Sequence, residues 1–230
     1  MFQNFTKAQL TEILVAIGRE TEKPLRAYVF GGAVMVQDGL KILTKDIDLL
    51  VETPQEYQAF LRAAKKAGFI EQTRIPKAYA RFHLSAILQN PAKKWRVDLF
   101  TKVVCGKMEL TADMKRRATP FAAHGKLEVK RLAYEDIMLL KAVADRPHDH
   151  EDMEAIFLHK HQNQRVLEGE MLAQIDHLTY ILPTLEEFAA KRKLDFRFSR
   201  KALQAFEERQ KEELDGWEKR LKAAKSGRGN

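Results

Sequence analysis

The sequence predicts an α+β protein in which a mixed, partly antiparallel sheet is flanked by helices and followed by a helical C-terminal region. Three observations support this class. Largely apolar segments typical of buried strands occur at residues 26–30, 46–51 and 95–100. One amphipathic segment with helical spacing precedes the first of these strands, and another lies between the second and the third. Towards the C-terminus only helical spacing recurs, so we place a core domain at residues 1–132 and a helical region at residues 133–230.

The N-terminal elements lead into a pair of glycines. Residues 6–20 repeat apolar side chains at helical spacing, which predicts an amphipathic helix packed on the sheet. The strand at residues 26–30 then ends at Gly31 and Gly32. A short helix and a turn at Asp38-Gly39 are expected to follow and to lead into the next strand.

A second helix has clear start and stop signals. Thr53 is placed to cap it, Pro54 suits the first helical position, and Glu56 completes a capping box. Gly68 is expected to end it. Strands follow, beginning with an alternating segment at residues 81–85 and continuing to the segment that carries Asp98.

The helical region begins at Glu135, where two acidic residues suit a helix N-terminus. Pro147 interrupts this helix, and Asp149 is predicted to cap the next one. In the first helix, Lys141 is expected within reach of the cleft beside the sheet, where its ammonium group can contact a nucleotide phosphate. Asp152 falls on the same face as Asp149.

The last third of the chain is predicted to be helical, and the sequence indicates no candidate catalytic or binding residues there. Two amphipathic helices are predicted at residues 166–182 and 185–193, separated at Pro183. Ser199 is placed to cap a long final helix whose apolar stripe is typical of a core or a dimer contact. Residues 226–230 are expected to be disordered.

Composition bounds the class of protein. The 230 residues are 45% hydrophobic, enough for one core with a helical appendage. A net charge of +8 favours an anionic partner such as a nucleotide or nucleic acid, although it equally suits simple solubility. The basic segment at residues 114–117 is open to the same two interpretations. Cys105 is the single cysteine, and the apolar runs are too short to cross a bilayer, so we expect a soluble, cytoplasmic protein without a membrane partner.

The chemistry-bearing residues begin with Gly31, Gly32, Asp46 and Asp48. Paired glycines let the backbone approach a phosphate closely, because no Cβ intervenes. Two aspartates two residues apart on a strand share a face, and such like charges usually persist where a divalent cation neutralises them. The alternative is a turn leading into an edge strand with a solvated face. The apolar residues that alternate with the aspartates favour a phosphate cradle facing a Mg²⁺ site.

Asp98 is a third carboxylate in a matching setting. It alternates with Val97 and Leu99 in an apolar strand. If this strand lies beside the one that carries Asp46 and Asp48, three carboxylates converge on one point and can hold Mg²⁺. The alternative is a surface ion pair of Asp98 with Arg96 or Arg81.

Together these residues resemble the signature of the polymerase-β-like nucleotidyltransferase superfamily. The likeness covers residues 25–157. The segment from Glu135 to Asp152 is similar to the one found in small prokaryotic members, in particular the AbiEii-like group, some of which act in toxin–antitoxin systems. The resemblance implies a polymerase-β-type core.

The resemblance also implies an activity and roles for residues. It implies Mg²⁺-dependent transfer of a nucleoside monophosphate from a nucleoside triphosphate, such as ATP, to an acceptor hydroxyl, with release of pyrophosphate. The acceptor class remains open: an RNA 3′ end such as that of tRNA, a protein side chain or a small molecule. The implied metal-binding and catalytic residues are Asp46, Asp48 and Asp98, and Gly31 and Gly32 seat the triphosphate.

Further residues enter the nucleotide site through the same resemblance. Lys141, Arg146, Asp149 and Asp152 match positions associated with nucleotide binding or the active site, and we assign Lys141 and Asp152 to it. The AbiEii-like relatives tend to carry an arginine shortly before the threonine that precedes the first metal aspartate. Here residues 41–45 supply lysines instead, and we assign Lys45 to the nucleotide site.

Two alternatives from other classes are kept. One is a catalytically silent nucleotide- or RNA-binding module that acts through a partner, although clustered carboxylates do not serve the binding of polyanions. The other is a metal-dependent phosphohydrolase built around His148 and His150, which are two residues apart on a helix and so point away from each other. The base preference and the oligomeric state stay open.

Overall fold

A computed structural model describes residues 5–72 and 82–226, with side chains as far as Lys222. By its internal contacts the chain divides into two compact units, Met1–Gln162 and Asn163–Asn230. Within the described residues of the first unit the elements are, in chain order, α1 (Lys7–Arg19), β1 (Leu25–Phe30), α2 (Gly32–Gln37), β2 (Ile47–Val51), α3 (Pro54–Lys66), β3 (Ile70–Glu71), β4 (Ala86–Asn90), β5 (Trp95–Thr101), β6 (Val103–Val104), β7 (Met108–Glu109), α4 (Ala112–Arg117), β8 (Thr119–His124), β9 (Leu127–Arg131), α5 (Tyr134–Ala144) and α6 (Pro147–His159). The second unit contains α7 (Gln164–Ala173), α8 (Ile181–Arg192) and α9 (Arg200–Ser226).

A seven-stranded mixed sheet forms the centre of the first unit. Its strand order is β3-β4-β5-β2-β1-β9-β8. β2 pairs parallel with β5, and β1 pairs parallel with β9, while the other neighbours are antiparallel. A separate two-stranded sheet joins β6 and β7. The mixed sheet and its helices confirm the predicted α+β class.

The helices that cover this sheet follow the predicted patterns. In α1 the apolar face is fully buried, and Thr6 precedes the first turn with Gln9 in a capping box. Thr53 accepts a hydrogen bond from the Glu56 amide and begins α3, as its sequence signals indicate. Both helices bury their apolar stripes, so the sheet gains a core layer that holds its central strands in place.

Two strand predictions need correction. β2 begins at Ile47, so Asp46 lies immediately before the strand and only Asp48 lies within it. The alternating segment at residues 81–85 is not a strand where it is described, because residues 82 and 83 form a turn and β4 starts at Ala86. Arg81 lies outside the described residues. His83 adopts a left-handed backbone, which ends any extended path through this segment.

Two helix boundaries also differ from the predictions. Asp149 does not cap α6; Arg146 holds the N-cap position and Asp149 lies in the first turn, accepting a hydrogen bond from the Arg146 amide. Pro183 does not separate two helices either. It lies in the first turn of α8, where a missing amide hydrogen costs nothing, and the break falls at residues 174–180.

The placement of α5 and α6 differs from the predicted organisation. Both helices belong by their contacts to the first unit, whose last residue is Gln162, whereas the sequence assigned them to a region starting at residue 133. Residues 227–230, most of the predicted disordered tail, lie outside the described part of the chain, and Ser226 ends α9. Among the described residues, none of the helices combines the length and the apolar character needed to span a membrane.

Candidate active site

A pocket of about 500 Å³ opens at one end of the sheet of the first unit. It lies between the start of α2, the loop before β2, strands β2 and β5, and helices α5 and α6. All eight residues that the sequence singled out line it: Gly31, Gly32, Lys45, Asp46, Asp48, Asp98, Lys141 and Asp152. Residues separated by more than a hundred positions therefore meet in one cavity.

The first wall of this pocket is made of carboxylates. Because β2 and β5 are parallel neighbours, Asp48 lies directly opposite Asp98 in the strand register. Asp46 stands two residues before Asp48, just outside β2. Burial and the nearby charges of Asp46 and Asp98 raise the pKa of Asp48 well above its usual value. The strands thus press like charges together, as expected for a cation-binding wall.

Asp98 is the most enclosed of the three carboxylates, with 3% of its surface exposed. Burial is the main cause that raises its pKa, to about 6, and the charge of Asp46 adds to the effect. The guanidinium of Arg96 opposes this rise by donating to both Asp98 carboxylate oxygens over 2.7 Å. The net result of these opposing effects is a pKa of Asp98 above its usual value.

Arg96 was foreseen only as an alternative partner of Asp98 at the surface. The ion pair is present but buried, since the Arg96 side chain is 12% exposed. Arg96 stands two residues before Asp98 on β5 and so projects from the same face of the strand. Its Nε atom also lies 3.9 Å from the Asp46 carboxylate, so one guanidinium serves two of the three aspartates.

Gly31 and Gly32 are required by the packing of this wall. Gly31 has a φ of +68°, and a Cβ atom there would overlap Asp48 Oδ2. A Cβ atom on Gly32 would overlap Thr44 Oγ1, whose hydroxyl donates to the Asp46 carbonyl over 3.2 Å. The glycines therefore let the start of α2 approach the carboxylates directly.

A second wall of the pocket is cationic and is held by two further carboxylates. Lys141 donates to Asp152 over 2.6 Å and to Asp149 over 3.3 Å. Lys41 reaches both oxygens of Asp152, at 2.9 and 3.0 Å. Arg146 donates to both oxygens of Asp149, at 2.6 and 3.0 Å. These contacts fix three cations beside the pocket.

Asp149 is the anchor of the cationic wall. It is fully buried, and burial by itself raises a carboxyl pKa, but hydrogen bonding from Arg146 and the charge of Lys141 hold the pKa of Asp149 below its usual value. It therefore stays ionised. Lys141 is 6% exposed, so its position is determined by these contacts and not by solvent.

Sequence reasoning left Lys41, Arg96, Arg146 and Asp149 out of the assigned set, although all but Arg96 line the pocket. The sequence nevertheless contained signals that point to three of these four residues. The resemblance implied Arg146 and Asp149 as positions associated with the site, and Lys41 lies in the segment just before Thr44 where that resemblance implies an arginine. By contrast, the basic segment at residues 114–117 is engaged elsewhere, because each of its cationic side chains pairs with an acidic one outside the pocket.

The donor set of the first wall suits Mg²⁺ in its chemistry, since three carboxylates supply the oxygen ligands that this cation prefers. The repulsion that raises the pKa of Asp48 and Asp98 is the charge that a cation would neutralise. However, no group of three or more His, Cys, Asp or Glu side chains in the described ranges is arranged to hold a metal ion. In this structure both oxygens of Asp98 accept hydrogen bonds from Arg96.

The histidines do not form a shared site in this part of the chain. His150 contacts Asp145 at 2.7 Å, while His148 lies 3.9 Å from Asp149. Burial and the charge of Arg146 lower the pKa of His148. Since the two side chains engage different carboxylates, their arrangement gives a phosphohydrolase centre no support.

Comparison with protein families identifies the family of the chain. No curated protein matches the chain. A family profile described as a nucleotidyltransferase of unknown function (DUF6036) matches residues 8–200, a span that includes every residue lining the pocket. Because the match covers most of the 230 residues, the chain belongs to this nucleotidyltransferase family of unknown function.

Proposed function

We propose that the protein is a Mg²⁺-dependent nucleotidyltransferase that transfers a nucleoside monophosphate from a nucleoside triphosphate to an acceptor hydroxyl. One observation carries the proposal: a cluster of carboxylates and a cluster of cations line the same pocket in a chain of a nucleotidyltransferase family. Carboxylates suit metal-bound phosphoryl chemistry, and lysine and arginine suit the binding of a triphosphate.

The carboxylates have distinct roles in this proposal. Asp46, Asp48 and Asp98 would hold Mg²⁺, which when bound supplies positive charge to the carboxylates and to the phosphoryl oxygens. Asp98 would also accept the proton of the acceptor hydroxyl. Burial raises the pKa of Asp98 to about 6, and a carboxylate with a raised pKa is a stronger base.

The remaining groups would position the triphosphate. Lys141, Lys45 and Arg146 neutralise phosphate oxygens, and Asp149 and Asp152 keep Lys141 and Arg146 in place. The acceptor oxygen bonds to the α-phosphorus, and the bond from this phosphorus to the oxygen bridging to the β-phosphate breaks. Pyrophosphate leaves with the electron pair, and the hydroxyl proton moves to Asp98.

We also propose that the core is of the polymerase-β type and that the chain is related to the AbiEii-like group. The parallel pairing of β2 with β5, which sets Asp48 opposite Asp98, supports a shared arrangement of the metal aspartates. In the segment before Thr44 where those relatives tend to carry an arginine, this chain has Lys41, whose ammonium group contacts both oxygens of Asp152 but cannot form the planar contact of a guanidinium. A toxin role would be tested by inducing the wild-type chain and an Asp48→Asn chain and comparing growth.

A second candidate is a silent nucleotide- or RNA-binding module that acts through a partner. The contact of Arg96 with Asp98 favours it, because an internal cation already engages one of the three carboxylates. The two candidates differ in one respect: only the enzyme releases pyrophosphate.

The test is incubation with each α-labelled nucleoside triphosphate and Mg²⁺, with and without total tRNA, followed by separation of RNA, protein and small molecules. We expect pyrophosphate release and label on one fraction, which identifies the acceptor. Asp48→Asn should abolish both, whereas Asp113→Asn, which changes an exposed carboxylate on α4, should leave both unchanged. Nucleotide binding without pyrophosphate release under any condition would establish the silent module instead.

A further inference from the structure

The C-terminal half of α9 exposes an apolar stripe. Leu214, Trp217 and Leu221 are 56%, 56% and 38% exposed, although they recur at the three- and four-residue spacing that places side chains on one face of a helix. Tyr180, 59% exposed, lines a groove of about 570 Å³ together with Leu214 and Trp217. Large apolar side chains clustered in this way are typical of a contact surface.

This part of α9 leaves most of its side chains exposed. The helix buries Ala202 and Phe206 in its first two turns, whereas residues 214–222 are all exposed except the half-buried Gly216. A short helical segment without packing partners, such as residues 214–222, is only marginally stable in water, and the glycine within it lowers the stability of the helix further. An additional partner for the apolar stripe would stabilise the helix.

The charges of α9 are divided along its length. Residues 207–215 contain five acidic and two basic side chains, whereas residues 218–222 contain three basic and one acidic side chain. In an antiparallel pair of such helices, the acidic segment of one copy lies opposite the basic segment of the other. A parallel pair sets like charge against like charge, which is unfavourable.

We propose that the C-terminal half of α9 pairs antiparallel with the same segment of a second copy of this chain, with Trp217 close to the twofold axis. Such an interface is self-complementary, because each copy supplies both an acidic and a basic segment around one apolar stripe. The five carboxylates at residues 207–215 disfavour RNA on this surface. A contact between two short helical segments buries less surface area than the interface of a permanent dimer, so we expect the dimer to dissociate on dilution.

Sedimentation velocity of the full-length chain across a concentration series tests the pairing. We expect monomer at low concentration and dimer as the concentration rises to about 200 µM, a range that suits a small interface. Leu214→Glu combined with Leu221→Glu should remain monomeric, whereas Lys201→Ala, at the exposed start of α9, should dimerise like the wild type. Circular dichroism shows that each variant is folded. A wild-type chain that stays monomeric throughout, or a Leu214→Glu/Leu221→Glu chain that still dimerises, overturns the proposal.

Charge exchange tests the complementarity. A chain with Lys219→Glu and Lys222→Glu has an acidic tail, and a chain with Glu208→Lys and Glu212→Lys has a basic first segment. Each alone should associate at least tenfold more weakly than the wild type, and an equimolar mixture should recover dimer. If the mixture does not, or if adding total RNA is what changes sedimentation, the surface is not a contact between copies.

Disulfide trapping tests the orientation. The single native cysteine, Cys105, is buried, so an introduced thiol reports its own surroundings. Glu218→Cys lies near the proposed axis and should cross-link to its copy. Lys211→Cys should not, because a rise of about 1.5 Å per residue sets the two copies of this position roughly 20 Å apart in the antiparallel pair. Cross-linking of Lys211→Cys as efficient as that of Glu218→Cys would show a parallel pair.

Discussion

Gly31 is the residue at which the packing of the carboxylate wall can be tested most directly. Gly31→Ala places a methyl group against Asp48 Oδ2 and strains a backbone with φ of +68°. We expect the variant to lose about 1–3 kcal/mol of unfolding free energy and most pyrophosphate release. Urea denaturation and the labelled-nucleotide assay measure the two effects.

The matched control for this substitution is Gly39→Ala. Gly39 has a φ of +76°, but no atom lies within 4 Å of an added Cβ. Gly39→Ala therefore introduces the same kind of backbone strain as Gly31→Ala, but its methyl group does not overlap Asp48. Equal loss of activity in Gly31→Ala and Gly39→Ala would show that strain alone, and not displacement of Asp48, is responsible.

Asp98 should make the stability of the protein depend on pH. Its folded pKa of about 6 is above the unfolded value, so the native state holds its proton more tightly. The stabilisation is fully present below the unfolded pKa and is lost as pH rises through about 6. Without divalent cations, wild type should lose on the order of 2 kcal/mol more than Asp98→Asn over this interval. Urea denaturation across the range measures it, and a difference that stays constant with pH would contradict the burial of this carboxyl.

Lys141 should contribute more to triphosphate binding than Lys45. Lys141 is 6% exposed and held by Asp149 and Asp152, whereas Lys45 is exposed at the pocket rim. A pre-positioned cation loses less side-chain entropy on binding. We expect Lys141→Met to weaken the binding of a fluorescent nucleoside triphosphate roughly tenfold or more, and Lys45→Met to weaken it less. The reverse order, in variants shown by melting curves to be folded, would rule out the cationic wall as the binding surface.

At the scale of the element, α6 depends on Asp149. This carboxylate accepts from the Arg146 amide at the helix start, and it also holds Arg146 and Lys141. Asp149→Ala leaves a buried lysine with one partner fewer, so we expect a loss of about 3–5 kcal/mol in unfolding free energy. Asp113→Ala, which removes an exposed first-turn carboxylate from α4, should cost less than about 1 kcal/mol. Thermal and urea unfolding compare the two, and similar costs would disprove the anchoring role.

The elements that could be predicted are those whose signals are local. The apolar spacing of α1 and the capping box at Thr53 depend only on neighbouring residues, and both are confirmed. Asp149 at a helix start was recognised but misplaced by three residues, because an Arg146 cap has no sequence signature. From the sequence alone, Pro183 indicates the end of a helix, yet a proline in the first turn is compatible with a helix.

The sequence predicted residues that line the pocket, but it did not predict which of their side chains contact each other. The strand pattern around Asp48 and Asp98 predicts their faces, and the register confirms that they oppose each other. The contact of Arg96 with Asp98 was foreseen only at the surface, because burial depends on the layers that cover the sheet. Lys41 and Asp152 are 111 residues apart, and no local rule connects them.

At the scale of the molecule, the entire pocket lies within the first of the two units. We therefore expect a fragment of residues 1–162 that circular dichroism shows to be folded to bind a fluorescent nucleoside triphosphate within about threefold of the full chain, since binding contacts are local. Fluorescence polarisation measures both. A folded fragment that binds more than tenfold worse would show that residues 163–230 contribute to nucleotide binding.

The parallel pairing of β2 with β5 has a consequence for synthesis on the ribosome. Asp48 and Asp98 are fifty residues apart, and Asp152 follows another fifty-four residues later. Closing such long loops is slow compared with forming a hairpin. A nascent chain can therefore complete the pocket only after α6 has left the exit tunnel, and until then its two strand carboxylates lack the lysine and arginine of the cationic wall.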